Sequence, residues 1–529
     1  MLPLVRKTLP IGIQTFAKIR EGDCYYVDKT AYALRLAKAA GYYFLSRPRR
    51  FGKSLFLDTL KELFEGNQAL FSGLLIADQW DWNQRFPVLR ISFGGGVVSC
   101  RADVREMLHR QFDSHERQFG LPARFPDLAS RFADLIVRLH EKTAQRVVVL
   151  VDEYDKPILD RLEQPDSARE IREELKNIYS VIKDQDAHIR FAMLTGVSRF
   201  SKVSLFSGLN NLEDITLDPE WSALCGYTGA DVDTVFAPEL DGLEREQIKR
   251  WFNGYNWGGE SVYNPFDLLM LFKKRKFKAY WFETGTPTFL VKLLAERGFF
   301  APDLASLCTD EALLSTFDIE HISLEALLFQ TGYLTIIATD EPDLGMLNYT
   351  LGYPNLEVET SLNNSLLALY TNDASKNHQH GLQLRKVLRN HDLTGLRQLI
   401  HAFFAGIPHQ WYSNNPIAQY EGFYASVFYS HFAALGLDVR VEDATNHGRI
   451  DMAVLMPDTI FLFEFKVVEL LPNGAALQQL KDKRYAEKYT DGRPTDGRPT
   501  DGRPVFLIGV EFSREARNVV GFEVEQSAH

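Results

Sequence analysis

Asp451, Glu464 and Lys466 are the residues of this chain whose types and spacing point most directly to chemistry. They lie in two apolar, strand-like runs within residues 448–467, which read GRIDMAVLMPDTIFLFEFKV. An aspartate, a glutamate and a lysine on one patch of an otherwise apolar sheet are costly to bury unless a cation or a substrate uses them. Such a set is what a metal-dependent phosphodiesterase needs.

The turn between the two runs is what brings these side chains together. Pro457-Asp458 favours a tight turn, and with those two residues as the loop Met456 pairs with Thr459. Counting back along both strands places Asp451 directly opposite Glu464. The lysine two residues after the glutamate then shares their face of the sheet. A loop of three or more residues would break this pairing, and a buried ion-pair cluster without catalysis is the alternative interpretation.

A second candidate site lies near the N-terminus, where an apolar strand leads through a loop ending Gly52-Lys53-Ser54 into an amphipathic helix. This strand–loop–helix order is the context that a phosphate-binding loop requires. Gly52 lets backbone N–H groups approach phosphate, Lys53 would reach the β- and γ-phosphates, and Ser54 would contact Mg²⁺.

The first half of this loop departs from the usual pattern. The position five residues before Gly52 is normally glycine, but here it is Arg47, so this part of the loop must have a different shape. Arg47, Arg49 and Arg50 add three cations beside the expected phosphate. These arginines either bind nucleotide or close an interface with a neighbouring domain.

Polar residues also follow two further apolar strands. The run RVVVLVDEYDKPIL ends in Asp152, expected to hold the water shell of Mg²⁺, and Glu153, expected to polarise the attacking water. The strand in IRFAMLTGVSRF ends at Thr195 and Ser198-Arg199, where an ATPase places its γ-phosphate sensor. Strands that end in polar residues at one sheet edge are the expected layout of a nucleotide site. We therefore expect ATP and Mg²⁺ here, with a structural sheet and a non-hydrolysing loop as the alternative.

The C-terminal pattern resembles the PD-(D/E)xK nuclease superfamily. The resemblance implies that Asp451 and Glu464 hold Mg²⁺ and that Lys466 orients the attacking water or stabilises charge in the transition state. Members often carry an acidic residue near the start of the preceding helix, which matches Glu421. They also often carry a glutamine in the following helix, which matches Gln478, although the neighbouring Gln479 fits equally well.

The N-terminal part resembles the predicted AAA-ATPase family of bacteria and archaea in LPIGIQTFAKIR, FLSRPRRFGKSL, LVDEYDKPI and LTGVSRFSKVSLFSGLNNL. The Arg-Pro-Arg-Arg-Phe-Gly-Lys-Ser loop is that family's own form of the motif, and members often end in a PD-(D/E)xK domain. The resemblance implies a protein that binds and hydrolyses ATP and cleaves nucleic acid, with DNA favoured, under nucleotide control. The alternative is a nucleotide-switched regulatory or binding protein whose nuclease-like domain does not cleave.

The expected fold class is α/β in both halves of the chain. We predict a P-loop (AAA-like) ATPase core at 1–225, a helical lid at 226–300, a candidate winged-helix module at 301–370, a linker at 371–382 and an α/β restriction-endonuclease-like domain at 383–529. The wing would be the hairpin YLTIIA and MLNYTL. Because it lacks Arg and Lys, structural packing is favoured over nucleic-acid binding. Three tandem TDGRP copies at 490–504 predict a surface loop without chemistry.

Composition narrows the class of protein. With 45% hydrophobic and 24% charged residues, the chain has the profile of a soluble globular protein. No apolar run approaches the ~20 residues of a membrane span, so no membrane association is expected. Four scattered cysteines without metal-ligand spacing indicate a reducing compartment, and we expect the cytoplasm. The net charge of -11 disfavours broad nonspecific binding of nucleic acid and leaves a local basic groove and a homo-oligomer open.

Overall fold

The computed structural model describes residues 6–527, except 40, 200–204, 206–208, 210, 286–289, 292, 295–298, 316–322, 372–373, 408–420 and 491–502. Two compact units divide the chain. The first comprises Met1–Gly285 and Leu307–Asn355, and the second comprises Thr286–Ser306 and Leu356–His529. Most of the TDGRP repeat lies outside the described residues. Within the described ranges, no helix combines the length and the apolarity needed to cross a membrane.

A five-stranded parallel sheet forms the centre of the first unit. Its strands are β1 (Tyr42–Ser46), β2 (Val88–Ser92), β3 (Val147–Asp152), β4 (Ile189–Gly196) and β5 (Leu212–Asp214). They lie in the order β2-β3-β4-β1-β5. Every residue of β1 and β3 is buried, as expected of parallel strands covered on both faces. The predicted α/β class of this half is confirmed.

The helices of this unit precede, cover and follow the sheet. They are α1 (Phe16–Glu21), α2 (Thr30–Ala39), α3 (Lys53–Phe64), α4 (Arg101–Phe119), α5 (Leu128–Thr143), α6 (Lys156–Leu159), α7 (Pro165–Asp184), α8 (Gly229–Thr234), α9 (Arg245–Phe252), α10 (Pro265–Lys274) and α11 (Tyr280–Gly285). The last four share an apolar core that also takes in Tyr25 and Val27. Helix α10 begins where the sequence signals it, because the Asn264 side chain accepts the Phe266 N–H at 2.9 Å and Pro265 is its first residue.

A small antiparallel sheet completes the first unit. It consists of β6 (Leu307–Asp310), β7 (Thr335–Asp343) and β8 (Met346–Gly352), in the order β6-β8-β7, with α12 (Glu311–Ser315) and α13 (Leu324–Thr331) between β6 and β7. The predicted hairpin is therefore confirmed as β7 and β8. The predicted borders differ, because the first unit ends at Asn355, and residues 286–306, predicted as the end of the lid and the start of the module, group with the second unit.

The second unit contains α14 (Leu356–Thr371), α15 (Ala374–Arg389), α16 (Leu393–Ala405), α17 (Glu421–Ala433), β9 (Asp438–Thr445), β10 (Gly448–Leu455), β11 (Ile460–Val468), α18 (Ala475–Asp482), α19 (Glu487–Thr490), β12 (Val505–Ser513) and β13 (Asn518–Gln526). Its sheet has the order β13-β12-β11-β10-β9. Strands β9, β10 and β11 are antiparallel, β11 pairs with β12 in parallel after a crossover through α18, and β13 returns antiparallel.

The predicted linker at 371–382 is wrong. Helix α14 ends at Thr371, and α15 begins at Ala374 and runs through the polar segment. The polar residues of that segment lie largely on the exposed side of α15, whereas Leu384 and Leu388 further along it are buried. A run of polar residues thus predicts a linker only when no apolar stripe continues beyond it.

Helix α18 packs on β12 at a point where only glycine fits. A Cβ at Gly509 would lie 2.3 Å from the backbone nitrogen and 2.8 Å from the Cα of Leu477. The backbone of α18 therefore lies directly on the strand, which fixes the height of this helix above the sheet.

We predict that Gly509→Ala displaces α18 and destabilises the second unit by about 1–3 kcal/mol, the usual cost of overpacking. Hydrogen-exchange mass spectrometry should show faster deuterium uptake in peptides covering 475–482 and 505–513. Gly95→Ala is the control, because a Cβ at Gly95 meets nothing within 4 Å. Unchanged uptake in the Gly509 variant would contradict the assignment of a close backbone contact.

Candidate functional site

The turn from β1 into α3 ends in a left-handed backbone. Gly52 has φ 95° and immediately precedes Lys53, the first residue of α3. Arg50 has φ 70°, a region that residues with a Cβ rarely adopt. A Cβ at Gly52 would meet nothing within 4 Å, so the conformation, and not a lack of space, favours glycine there. The N–H groups of the first turn of α3 lack intrahelical partners, which suits an anion.

Arg47 is a structural residue of this loop. Its side chain is fully buried and donates to the carbonyl oxygens of Ser46 at 2.8 Å, Thr216 at 2.9 Å and Trp221 at 3.1 Å. The guanidinium carbon lies 4.1 Å from the centre of the Trp257 ring. Burial lowers the pKa of Arg47 to about 10. The expectation that Arg47 adds a cation beside phosphate is therefore wrong, because carbonyls and an aromatic ring already surround it.

Lys53 closes the loop on itself. Its ammonium donates to the carbonyl oxygens of Arg47 at 2.7 Å and Pro48 at 2.9 Å, and burial lowers its pKa. Lys53 also lines a large cavity. A phosphate that enters this cavity would have to compete with the two carbonyls for the ammonium.

The cavity at the loop has a volume of ≈ 710 Å³. Its polar side includes Lys53, Ser54, Glu153 and Asp155. Apolar and aromatic residues also line it, among them Ile13, Tyr26, Val27, Tyr227 and Phe266. A cavity that combines charged groups with apolar and aromatic side chains has the composition that a nucleotide pocket needs.

Three of the loop residues predicted to bind nucleotide line this cavity from its rim. Ser54 is half-buried, whereas Arg49 and Arg50 are exposed. The Arg50 guanidinium carbon lies 4.8 Å from the centre of the Phe266 ring. The Arg49 carbonyl accepts the indole N–H of Trp281 at 3.1 Å, which ties the loop to α11.

The acidic strand end lies beside the loop because β3, β4 and β1 are neighbours. Asp152, the last residue of β3, is buried and accepts the hydroxyl of Thr195 at 3.1 Å. Asp152 is not among the residues that line the cavity, whereas Glu153 is. Glu153 has a left-handed backbone, with φ 53°, and its pKa is raised by burial first and by the charge of Asp152 second. A strained acidic residue at a cavity is a feature of functional sites.

Arg199 is not among the residues that line this cavity. It forms an ion pair with Asp214, and its backbone N–H donates to the Gln330 side chain at 2.8 Å. Arg199 and Gln330 line a small second pocket. The role of Arg199 as a phosphate sensor stays a prediction, and a phosphate would have to compete with Asp214 for its guanidinium.

Two further groups belong to this site and were not predicted. Asp155 is buried at the cavity and accepts the backbone N–H groups of Val197 at 3.0 Å and Ser198 at 2.6 Å. Burial raises its pKa. The signal for it was the second aspartate in LVDEYDKPI.

Arg90 connects the acidic strand end to the phosphate-loop helix. One guanidinium nitrogen lies 2.7 Å from an oxygen of Asp58 in α3, and the other lies 3.5 Å from an oxygen of Asp152. The second Asp58 oxygen accepts the backbone N–H of Phe16 at 2.7 Å. One arginine thus positions β3 relative to α3 and α1. An arginine within the otherwise apolar strand VLRIS is the signal that could have revealed it.

In the second unit, the predicted hairpin register is confirmed. The Met456 N–H donates to the Thr459 carbonyl at 2.8 Å, and pairing continues from Leu455 with Ile460 to Met452 with Phe463. Asp451 and Glu464 are the next residues in this register.

The backbone pairing of β10 with β11 ends before Asp451. Its carboxylate accepts the backbone N–H of Phe465 at 2.7 Å, so a side chain bonds the neighbouring strand there. On the other side of β10, Glu442 in β9 has a left-handed backbone with φ 49°. Irregularity of this kind beside strands is common next to active sites.

Glu464 is the most constrained group of this centre. Its side chain has no exposed surface, and its Oε2 has no hydrogen-bond partner among the described residues. The Lys466 ammonium lies 3.6 Å from Oε1. Burial first, and the charge of Asp451 second, raise the pKa of Glu464 to about 8. At neutral pH without a cation, this carboxyl is therefore mostly protonated.

Gln479, and not Gln478, contacts the centre. The Gln479 amide donates to Oε1 of Glu464, whereas Gln478 is exposed and donates to Asp482 at 2.7 Å. The prediction for Gln478 is wrong and the alternative residue takes its place, because only one of two consecutive helical residues faces the sheet. Tyr485 is buried, and its pKa is raised by burial first and by Glu464 second.

The donor set suits a hard divalent cation. Asp451 and Glu464 provide carboxylate oxygens, and the unpartnered Oε2 is a buried acceptor that lacks a donor. Among the described residues, no group of three His, Cys, Asp or Glu side chains could hold a metal ion. Two carboxylates fit Mg²⁺, which keeps several of its own waters. Glu421 is the first residue of α17, and its side chain lies outside the described part of the chain.

Comparison with known protein families agrees with both halves of this description. The model of the family described as predicted AAA-ATPase matches residues 10–206. The model of the PD-(D/E)XK nuclease superfamily matches residues 419–522. The first match covers α3 and strands β1 to β4, and the second covers α17 through β12.

A full-length relative has the same extent. Over 522 residues the chain is 61% identical to a protein of Azotobacter chroococcum mcd 1 described as "uncharacterized protein in vnfD 5'region". The match covers 98% of this chain and 99% of that protein. The chain therefore belongs to the family of predicted AAA-ATPase proteins that carry a C-terminal domain of the PD-(D/E)XK nuclease superfamily.

Proposed function

We propose that this protein binds and hydrolyses ATP and uses that cycle to control metal-dependent cleavage of nucleic acid, with DNA the favoured substrate. The observation that carries the cleavage part is the buried Glu464 carboxyl, with one unpartnered oxygen, beside Asp451 and Lys466. A buried carboxyl with an unpartnered oxygen lowers the stability of the fold unless a cation binds that oxygen.

In the first unit, the residues at the cavity support a division of roles on ATP. Lys53 would exchange the loop carbonyls for the β- and γ-phosphates, and Ser54 would provide a hydroxyl to the Mg²⁺ that accompanies ATP. Asp152, held by Thr195 and Arg90, would bind the water shell of that ion. Glu153 would accept the proton of the attacking water, since its raised pKa brings it closer to neutral pH.

In the second unit, Asp451 and Glu464 would hold Mg²⁺, which when bound supplies a Lewis acid and an activated water. Gln479 keeps the Glu464 carboxyl in place through its hydrogen bond. Lys466, about a third exposed at its side chain, is accessible to a phosphate and would stabilise negative charge on it. We infer that ATP acts through conformational change and takes no part in the phosphodiester chemistry.

We predict that Lys53→Ala weakens ATP binding by about tenfold or more, since charge-assisted hydrogen bonds to phosphate are lost. Glu153→Gln should retain ATP affinity and lose turnover by about 10²–10⁴-fold. Isothermal titration calorimetry and phosphate release provide the two measurements. Lys61→Ala is the matched control, since this lysine of α3 pairs with Glu62 and Glu65 instead. Equal ATP affinity in the Lys53 variant would refute the nucleotide site.

For the nuclease-like centre, we predict that Asp451→Asn and Lys466→Ala each reduce Mg²⁺- or Mn²⁺-dependent cleavage by about 10²-fold or more. The ATP affinity of both variants should stay unchanged, because the ATP-binding residues belong to the first unit.

Consecutive glutamines provide the internal control for this experiment. Gln479→Ala should slow cleavage, whereas Gln478→Ala should cleave like the wild type. If the purified wild-type chain cleaves no single- or double-stranded DNA or RNA with either metal, with and without ATP, the nucleotide-switched regulator becomes the better description.

The raised pKa of Glu464 predicts a pH dependence of stability in the absence of metal. Its folded pKa, about 8, exceeds its ordinary value of 4.5, so the folded state retains a proton that the unfolded state loses. The contribution of this group to the free energy of unfolding is therefore full below about pH 4.5 and is lost as the pH rises to about 8. Glu464→Gln, which cannot ionise, should raise the melting temperature relative to wild type at pH 8 more than at pH 5.

Adding Mg²⁺ should reverse this difference, because the wild-type carboxylate gains a cation that the glutamine variant binds poorly. Scanning calorimetry at both pH values, with Mg²⁺ and with a chelator, measures the melting temperatures of the wild type and the variant under each condition. A melting-temperature difference that does not change with pH would contradict the buried-carboxyl assignment.

A further inference from the structure

The module formed by residues 307–355 has an extreme charge. It contains no Lys and no Arg, and eight acidic residues: Asp310, Glu311, Asp318, Glu320, Glu325, Asp340, Glu341 and Asp343. Two helices lie in sequence between β6 and the β7–β8 hairpin of its antiparallel sheet. Phosphate backbones are recognised through Lys and Arg, so this module repels the polymer that the second unit is proposed to cleave.

The hairpin of this module is exposed over its outer half. Every residue from Ile337 to Met346 is exposed, on both faces of the hairpin. Three of them are large and apolar, with exposed fractions of 52% for Ile337, 101% for Leu344 and 61% for Met346. Leu344 and Gly345 form the turn between the paired residues Asp343 and Met346. An apolar tip with acidic neighbours is the composition of a protein-docking surface.

The acidic side chains of the hairpin are not neutralised within the described structure. Asp340, Glu341 and Asp343 form no ion pair with a described residue, and Glu341 accepts only the Gly345 backbone N–H at 2.9 Å. Charge of one sign, left unpaired around apolar side chains, selects a partner surface of the opposite sign.

Helix α15 has the matching chemistry. It carries Lys376, Arg385, Lys386 and Arg389 and no Asp or Glu. Leu382 is 59% exposed, and Lys386 and Arg389 are also exposed. The three residues follow one another at spacings of four and three, which places them on one face of the helix. Lys386 and Arg389 make no ion pair with a described residue. An apolar side chain beside two cations complements an apolar tip beside three carboxylates.

We propose that copies of this chain associate head to tail, with the β7–β8 hairpin of one copy on the exposed face of α15 of the next. The two surfaces are different, so the contact is heterologous and generates a ring if it closes and an open chain if it does not. A hairpin tip on one helix face falls below the standard interface size, so each contact is weak. The strength of the contact depends on the salt concentration, because the charges are at the surface. The inference does not depend on the proposed ATPase or nuclease activity.

Sedimentation velocity on the full-length chain tests the proposal over a range of concentrations. At about 0.1 M salt, where screening acts beyond about 10 Å, the average mass should rise with concentration. At about 1 M salt, where it acts beyond about 3 Å, the chain should return to the monomer.

Charge reversal identifies the surfaces. The hairpin variant Asp340→Lys/Asp343→Lys and the helix variant Lys386→Glu/Arg389→Glu should each weaken self-association by about tenfold or more, because like charges then face each other. A one-to-one mixture of the two variants should associate again, since each reversed hairpin meets a reversed helix. Glu106→Lys/Arg110→Glu is the control, because this exposed pair on α4 lies on neither surface.

The positions changed are exposed, so circular dichroism should confirm that each variant folds. Leu344→Ser, which keeps the charge, should also weaken association. A chain that stays monomeric at every concentration overturns the proposal. So does association that charge reversal leaves unchanged, or a helix variant that alters nucleic-acid binding without altering self-association.

Discussion

A charge removed from water must be compensated by the protein, and both candidate sites are organised by this constraint. The two terminal nitrogens of Arg47 donate to three carbonyl oxygens and its guanidinium lies over an indole ring, so Arg47 stabilises the loop, although its Nε has no hydrogen-bond partner among the described residues. Lys53 is compensated by carbonyls that a phosphate can replace. Glu464 is compensated only in part, which leaves one oxygen for a cation. The structural and the functional charges therefore differ in whether a ligand can replace or complete their partners.

Each site also depends on a defined edge or opening of a sheet. In the first unit, β1, β3 and β4 are parallel neighbours, so their C-terminal ends bring the phosphate loop, Asp152 and Thr195 together without any long loop. In the second unit, the β10–β11 ladder ends where the Asp451 carboxylate replaces a backbone acceptor. The backbone thereby fixes the position of the acidic groups before any ligand is present, which favours preorganised chemistry.

Local pattern predicted a large part of this structure. The Pro457-Asp458 turn determined the hairpin register, since a two-residue loop leaves only one alignment of the flanking strands. Gly52-Lys53-Ser54 between a strand and a helix placed the loop correctly. These predictions succeeded because each rests on covalent neighbours, whose geometry is restricted whatever the rest of the chain does.

The errors concern side chains whose direction is set by distant residues. The Arg199–Asp214 ion pair was not predicted for the same reason, because nothing around Arg199 in sequence indicates that partner. The choice between Gln478 and Gln479 required the rotation of α18 on β12, which the close contact at Gly509 determines. The predicted linker failed for a related reason, because its polar residues belong to a helix whose buried leucines lie further along the chain.

The bonds of Arg47 have a consequence for the order in which the protein forms. A phosphate loop is usually a local structure, completed by the strand before it and the helix after it. Here the residue that begins the loop is held by carbonyls of Thr216 and Trp221, which lie 169 and 174 residues further along the chain. A contact of such high sequence separation costs loop-closure entropy and needs both parts of the chain to be present. During synthesis, the nascent chain therefore has no finished nucleotide site until the residues after β5 have left the ribosome.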